Sequence, residues 1–267
     1  MNASTRPREC RRCNAARTPN MPGLHGDRPT ATRKRAILVV VFSLAALARP
    51  AVAPDQELVL VRLRYKVDHN SRPNDWNAKG FGKVLNNVSE ALTQATSVKT
   101  ARDPSVFGVG DPDIFSYPFL FMVGHYGPIL NEAEAENLRE HLTKGGFLLA
   151  TSCCGNGSFT RNFEREMRRL FPENELKPLP PEHPVFRTFY TIEEATRLVG
   201  ANETNARKER PLLRGIDVDG RTVVILSPVA LTCGWTRRAT CTATCKRYAT
   251  EDAFKIGVNV IIYAMTH

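Results

Sequence analysis

Phe119-Leu120-Phe121-Met122-Val123-Gly124-His125 and, past one amphipathic segment, Phe147-Leu148-Leu149-Ala150-Thr151-Ser152-Cys153-Cys154-Gly155 decide how this chain folds. Each begins as a short, wholly apolar run and breaks at a turn that carries chemistry. Apolar runs without polar alternation are strands covered on both faces, and such strands joined by helices argue for a parallel sheet. In open sheets of that kind ligands sit beyond the carboxyl ends of the strands. The sequence therefore sets Gly124, His125, Cys153 and Cys154 at the rim of a crevice.

Working outward, the segment between the two strands is a helix with marked ends. Asn131 with Glu134 three residues on is a capping signal, acidic residues fill the first turn, and Lys144-Gly145-Gly146 closes it. Ala135, Leu138 and Leu142 face the core and His141 faces solvent. After Cys154, Phe159, Phe163, Met167 and Leu170 recur on one helical stripe that reads as core, ended by Pro172. Upstream, Leu58 to Tyr65 is a first strand, a polar loop runs through Asn70, Pro73 and Asn74, and Phe81 to Ala95 is an amphipathic helix. Val98 to Ala101 reads as a short second strand and Asp103 to Ser116 as loop. Residues 173–220 are irregular and rich in proline, with a glycosylation-like Asn202-Glu203-Thr204. The turn Asp219-Gly220 introduces a buried strand from Arg221 to Leu226. Glu251 to Met265, apolar nearly all round, is a helix buried against the sheet. The whole reads as a three-layer, flavodoxin-like α/β domain with a mostly parallel sheet, occupying residues 54–267.

The net charge of +10 suggests a nucleic-acid binder until its location is considered. Residues 1–53 hold ten Lys/Arg against two Asp/Glu, so +8 lies there and only +2 in the rest. A nearly neutral body lacks the electrostatic footprint of a nucleic-acid-binding domain. In the basic head, Arg33-Lys34-Arg35 precedes thirteen residues, Ala36 to Ala48, in which Ser43 is the one polar side chain. That is short of the about twenty residues a membrane span needs. With small residues at Ala46-Leu47-Ala48 and Ala51-Val52-Ala53 it reads as a secretory signal peptide, with a short uncleaved membrane anchor as the alternative. Its unusually long amino-terminal part suggests that translation starts at Met21, residues 1–20 with Cys10 and Cys13 being a start-site artefact. The expected location is periplasmic or associated with the cell envelope, with membrane contact only through an uncleaved signal.

Five cysteines then remain in the mature chain: Cys153, Cys154, Cys233, Cys241 and Cys245. In an oxidising compartment disulfides are the default expectation, and an odd count leaves one thiol over. Cys233 follows the strand ending at Ser227-Pro228, so it belongs over the same sheet edge as the Cys153-Cys154 pair. A bridge from Cys153 or Cys154 to Cys233, with Cys241 to Cys245 as a second, is preferred to a zinc site built from Cys233, Cys241 and Cys245 with one of the elbow cysteines. The spacing lacks the paired Cys-x2-Cys knuckles of zinc sites. No cofactor is expected.

The chain resembles the bacterial domain-of-unknown-function family 4159. The likeness runs through Arg62-Leu63-x-Tyr65 with Trp76, Phe115-x-Tyr117-Pro118-Phe119, Gly124-His125 and Gly145-Gly146-Phe147-Leu148. It continues through Cys153-Cys154-Gly155, Phe171-Pro172, His183-Pro184-Val185-Phe186 and Gly257-Val258-Asn259. It implies an exported α/β domain similar in fold to class I glutamine amidotransferases, without an agreed activity. In that fold a strand-to-helix elbow presents a cysteine nucleophile, which would make Cys154 or Cys153 the nucleophile, His125 the base, and amides near Gly124 the oxyanion donors. The elbow reads Ser152-Cys153-Cys154-Gly155 rather than Gly-x-Cys-x-Gly, and no His-x-Glu pair follows the late strand. A non-catalytic module is therefore the preferred expectation, binding an unknown small ligand or protein partner through Gly124, His125, Asn156, Cys233 and Trp235. A cysteine-dependent amidohydrolase-like enzyme is the alternative.

Overall fold

The computed structural model describes residues 57–67, 75–77, 81–200, 205–236 and 243–267. The basic head with its apolar run, Cys10 and Cys13, the loop at Asn70, Pro73 and Asn74, the Asn202-Glu203-Thr204 stretch and Cys241 lie outside the described residues. Among those described, no helix is long and apolar enough to cross a membrane.

Alternation of helices and apolar strands produces a mixed α/β body. Its elements are β1 (Val61–Arg64), α1 (Phe81–Ala95), β2 (Ser105–Gly108), β3 (Phe119–Gly124), α2 (Glu132–Thr143), β4 (Phe147–Ser152) and α3 (Gly157–Leu170). Then come β5 (Lys177–Pro178), β6 (Ala195–Val199), β7 (Arg207–Glu209), β8 (Arg214–Val218), β9 (Arg221–Ser227), the one-turn α4 (Thr232–Trp235), β10 (Lys246–Tyr248) and α5 (Thr250–Thr266). A seven-stranded sheet runs in the order β2-β1-β3-β4-β9-β8-β5, and β10-β6-β7 form a small antiparallel sheet. The pairs β1/β2, β1/β3, β3/β4 and β4/β9 are parallel, while β8 and β5 add an antiparallel edge. The chain moves outward from β1 to β2 and then returns across β1 to β3. A gap between connections therefore opens beside the carboxyl ends of β1 and β3.

The absence of polar alternation in the central strands has a plain cause. Phe119, Phe121 and Val123 of β3 join one apolar cluster with α1, α4 and α5, while Leu120 and Met122 join another with α2 and α3. Both faces of the sheet are covered, so both sets of alternate side chains must be apolar. Asn131 makes a reciprocal capping box with Glu134 at the start of α2. Phe159, Phe163 and Met167 are buried on α3 as the stripe requires.

Several expectations are corrected. Val98 to Ala101 contributes one bridge, Leu58 to Thr100, and the second strand is β2, inside the segment read as loop. An edge strand with three half-covered residues and an exposed Val106 carries little apolar signal, because one neighbour and partial burial suffice to hold it. The irregular stretch contains β5, β6, β7 and β8. His141 is buried rather than solvated: a ring nitrogen lies 2.8 Å from the Tyr117 carbonyl, and the ring packs where a Cβ on Gly146 would stand. Burial holds its pKa below the ordinary value of 6.5.

The Gly257-Val258-Asn259 motif has a structural role. Asn259, buried in α5, donates to the carbonyls of Val185 and Tyr190 and accepts from the Tyr190 amide, each at 2.8 Å. It ties the loop carrying His183-Pro184-Val185-Phe186 to the helix. Gly257 lies against the Trp235 ring, where no side chain fits.

Candidate functional site

At the carboxyl end of β4 the chain makes a strand-to-helix elbow. Cys154 is left-handed, at φ 54 and ψ 16, and Gly155 follows at φ 62. Two successive left-handed residues reverse the chain tightly, and such a conformation costs a non-glycine residue about 1 kcal/mol or more. The turn is held by Ser152 Oγ donating to the Asn156 carbonyl at 2.7 Å and the Asn156 amide donating to the Cys153 carbonyl at 3.1 Å. Asn156 then caps α3 by accepting from the Ser158 amide at 2.9 Å. Its Oδ1 is thereby engaged at the helix end.

His125 arrives from the end of β3, as the apolar run predicts. Its Nδ1 lies 2.9 Å from Oδ1 of Asp75, whose side chain is wholly buried. Oδ2 of the same carboxylate accepts the backbone amides of His125 at 2.5 Å and Tyr126 at 2.9 Å. Asp75 sits in a single helical turn, Asp75–Asn77, after β1. Tyr65 donates to the Val123 carbonyl at 2.9 Å and stands with Asp75 over Gly124, whose missing side chain leaves room for both. Asp75 with the nearby Cys154 raises the His125 pKa from 6.5 to about 9. The ring is thus anchored at Nδ1 by a buried carboxylate that favours its protonated form.

The sulfurs come from three separate stretches. Cys153 and Cys154 lie on the elbow, Cys233 on α4 after β9, and Cys245 just before β10. The Cys153 and Cys154 sulfurs are 3.9 Å apart, Cys154 and Cys233 3.7 Å, and Cys245 and Cys233 3.7 Å. Donor atoms of Cys154, Cys233 and Cys245 all lie within 4.8 Å of one another, as do those of His125, Cys153 and Cys154. Cys153, Cys233 and Cys245 are buried and Cys154 is half-buried. Hydrogen bonding from Cys153, with further help from Cys245 and His125, lowers the Cys154 pKa to about 6, whereas Cys153 is pushed up. Cys154 is the thiol of the group that ionises most readily.

The small sheet delivers Cys245. Ala230 exchanges hydrogen bonds with Lys246 and Tyr248, and the Gly200 amide holds the Cys245 carbonyl at 2.8 Å. Gly155 packs on the Lys246 backbone so closely that a Cβ there would stand 2.9 Å from its carbonyl oxygen.

Several sequence assignments change. Among the described residues no disulfide joins Cys153, Cys154, Cys233 and Cys245 to one another, their sulfur separations being far beyond the about 2.05 Å of a bond, and the expected Cys241 to Cys245 bridge lies outside the described residues. Trp235 is core: fully buried, it donates from Nε1 to the Ala253 carbonyl at 2.8 Å and tilts against Phe121. The amides after Gly124 are not open oxyanion donors, since those of His125 and Tyr126 are both held by Asp75. Asp75 was missed as a site residue, and Cys245 entered the sequence reading only as a bridge or metal-ligand alternative. The one signal for Asp75 was a lone acid beside Trp76 after β1, which spacing alone does not connect to His125. Arg62 donates to Asn77 at 3.3 Å and lies over Trp76, and Arg64 pairs with Asp111 at 3.6 Å.

Fold and site together define a mixed α/β domain whose strand ends carry a largely buried thiol cluster beside an imidazole and carboxylate pair. The family model described as "Domain of unknown function (DUF4159)" matches residues 59–265, and the chain belongs to that family. No curated protein matches it. Among solved structures, the exo-beta-1,4-mannosidase Op5Man5 from Opitutaceae bacterium strain TAV5 is similar at 12% identity over 66% of this chain, with a TM-score of 0.36. This chain spans 32% of that protein.

Proposed function

We propose that this chain is an exported, non-catalytic binding module, flavodoxin-like and amidotransferase-like in arrangement, whose ligand is held by the thiol cluster around Cys154. The order β2-β1-β3-β4-β9 supports the arrangement, being that of doubly wound sheets which bind ligands where the strand order reverses. His125 and Asp75 stand at that reversal. One observation carries the preference for binding over catalysis: the amides nearest the thiolate on the β3 side are consumed by Asp75, while thiols from three chain segments converge on Cys154. Hydrolysis of an amide needs donors aimed at the developing oxyanion, and removing even one costs several kcal/mol. The basic head with its short apolar run supports export to the periplasm or cell envelope.

A second reading is a cysteine nucleophile. It is favoured by the left-handed Cys154 at an elbow and by a His125 ring oriented by a buried carboxylate. Incubation of the reduced protein with glutamine and with a chromogenic ester decides between them. Binding alone gives no turnover above that of the Cys154→Ser variant. Steady hydrolysis lost in Cys154→Ser refutes the non-catalytic reading.

A further inference from the structure

We propose that Cys154, Cys233 and Cys245 bind a thiophilic divalent cation, Zn2+ in the first place. This rests on the binding reading above and names its ligand. Four ligands at 2.3 Å around a tetrahedral zinc thiolate centre stand about 3.8 Å from one another. The Cys154 to Cys233 and Cys233 to Cys245 separations, both 3.7 Å, match that edge, and the third side of the triangle is within 4.8 Å. A disulfide would draw one pair together and leave the third sulfur outside. Van der Waals packing alone gives no reason for three thiols to meet at one point from three distant stretches of chain. Soft thiolates select zinc and other soft ions over Mg2+ or Ca2+.

Burial fits the same assignment. Cys245 is fully buried and Cys233 nearly so, which shields a bound ion, while the half-buried Cys154 gives it an approach. Among the described residues Cys153 and the His125 ring also come within 4.8 Å of Cys154, and either would complete the set only by moving toward Cys233 and Cys245. The carboxylate of Asp75 on Nδ1 is the outer partner that metal-binding histidines ordinarily have. Each ligand is anchored by a different element, on the elbow, on α4 and before β10. Binding therefore ties the small sheet to the main one.

The test uses the full chain, reduced, stripped with a chelator and then given ZnCl2 or CoCl2 alone. The expected results are one ion per chain by elemental analysis and, with Co2+, the intense sulfur-to-metal absorption and visible bands of a tetrahedral thiolate site. Under native conditions Zn2+ should protect the three thiols from alkylation, and chelator should release them together. Cys233→Ser and Cys245→Ser should each weaken zinc, measured by chelator competition, by on the order of 100-fold or more. The protection pattern of the unaltered chain stands as a test independent of how well either variant folds. Absence of the cobalt bands, unprotected thiols, or a Cys154 to Cys233 disulfide in protein from the exported fraction overturns the metal assignment. Those results without turnover remove only the metal, whereas glutamine or ester hydrolysis lost in Cys154→Ser removes the binding reading as well.

Discussion

Replacing Asp75 tests the hinge of the site, because one buried carboxylate fixes both the backbone and the ring of His125. Oδ2 takes the amides of His125 and Tyr126, and Oδ1 takes the imidazole. In Asp75→Asn the amide oxygen can still serve the two backbone donors, while its NH2 replaces Oδ1 and faces Nδ1. What is lost is one charge-assisted hydrogen bond, so the expected cost is about 2 kcal/mol. Asp75→Ala leaves both amides and the ring unpaired in a buried place, and the expected cost rises to about 4 kcal/mol. Urea denaturation of metal-free, reduced protein at neutral pH measures both. Nitrogen NMR of the imidazole supplies a second reading: Nδ1 carries the proton in the unaltered chain and loses it in Asp75→Asn, where it accepts from the amide instead. Equal costs for the two variants, or an unchanged Nδ1 signal, would show that Asp75 does not hold the ring.

Other perturbations reach the fold around this point. Gly124→Ala sets a methyl into the Tyr65 hydroxyl and the Asp75 carboxylate, so a loss of about 1–3 kcal/mol is expected in thermal melts, with His125 displaced. Asn259→Ala breaks three hydrogen bonds to the loop at Val185 and Tyr190, and should cost about 2 kcal/mol or more while speeding hydrogen exchange at the Tyr190 amide. His141 gives a pH dependence. Its folded pKa lies below 6.5, so the unfolded chain takes up the proton first as pH falls, and stability drops progressively from about pH 6.5 downward. His183, lowered by burial in the same sense, adds to that slope. His141→Gln should flatten the part due to His141, as measured by denaturation at about pH 7.5 and about pH 5.

How far the sequence could be read follows from what each element needs. The central strands, α1, α2, α3, β9 and α5 were legible because their periodicity and caps record burial locally, residue by residue. Strand β2 and the small sheet were not, since edge and half-exposed strands draw their stability from neighbours distant in sequence. His141 shows the same limit in one residue: its position on α2 reads as solvated, and the loop around Tyr117 that closes over it is not encoded in the helix.

The sequence by itself determined that apolar strands would end at His125 and at Cys153-Cys154, because a run buried on both faces and the turn that breaks it are both written within a few residues. It also placed Cys233 over the same edge, from its distance after a buried strand. Only the tertiary structure decided that Asp75 reaches under His125, that Trp235 turns inward to the core, and that Cys245 arrives from a separate sheet to stand 3.7 Å from Cys233. Those are contacts between segments that no local pattern links, and they exist because the strand order brings distant chain ends to one rim.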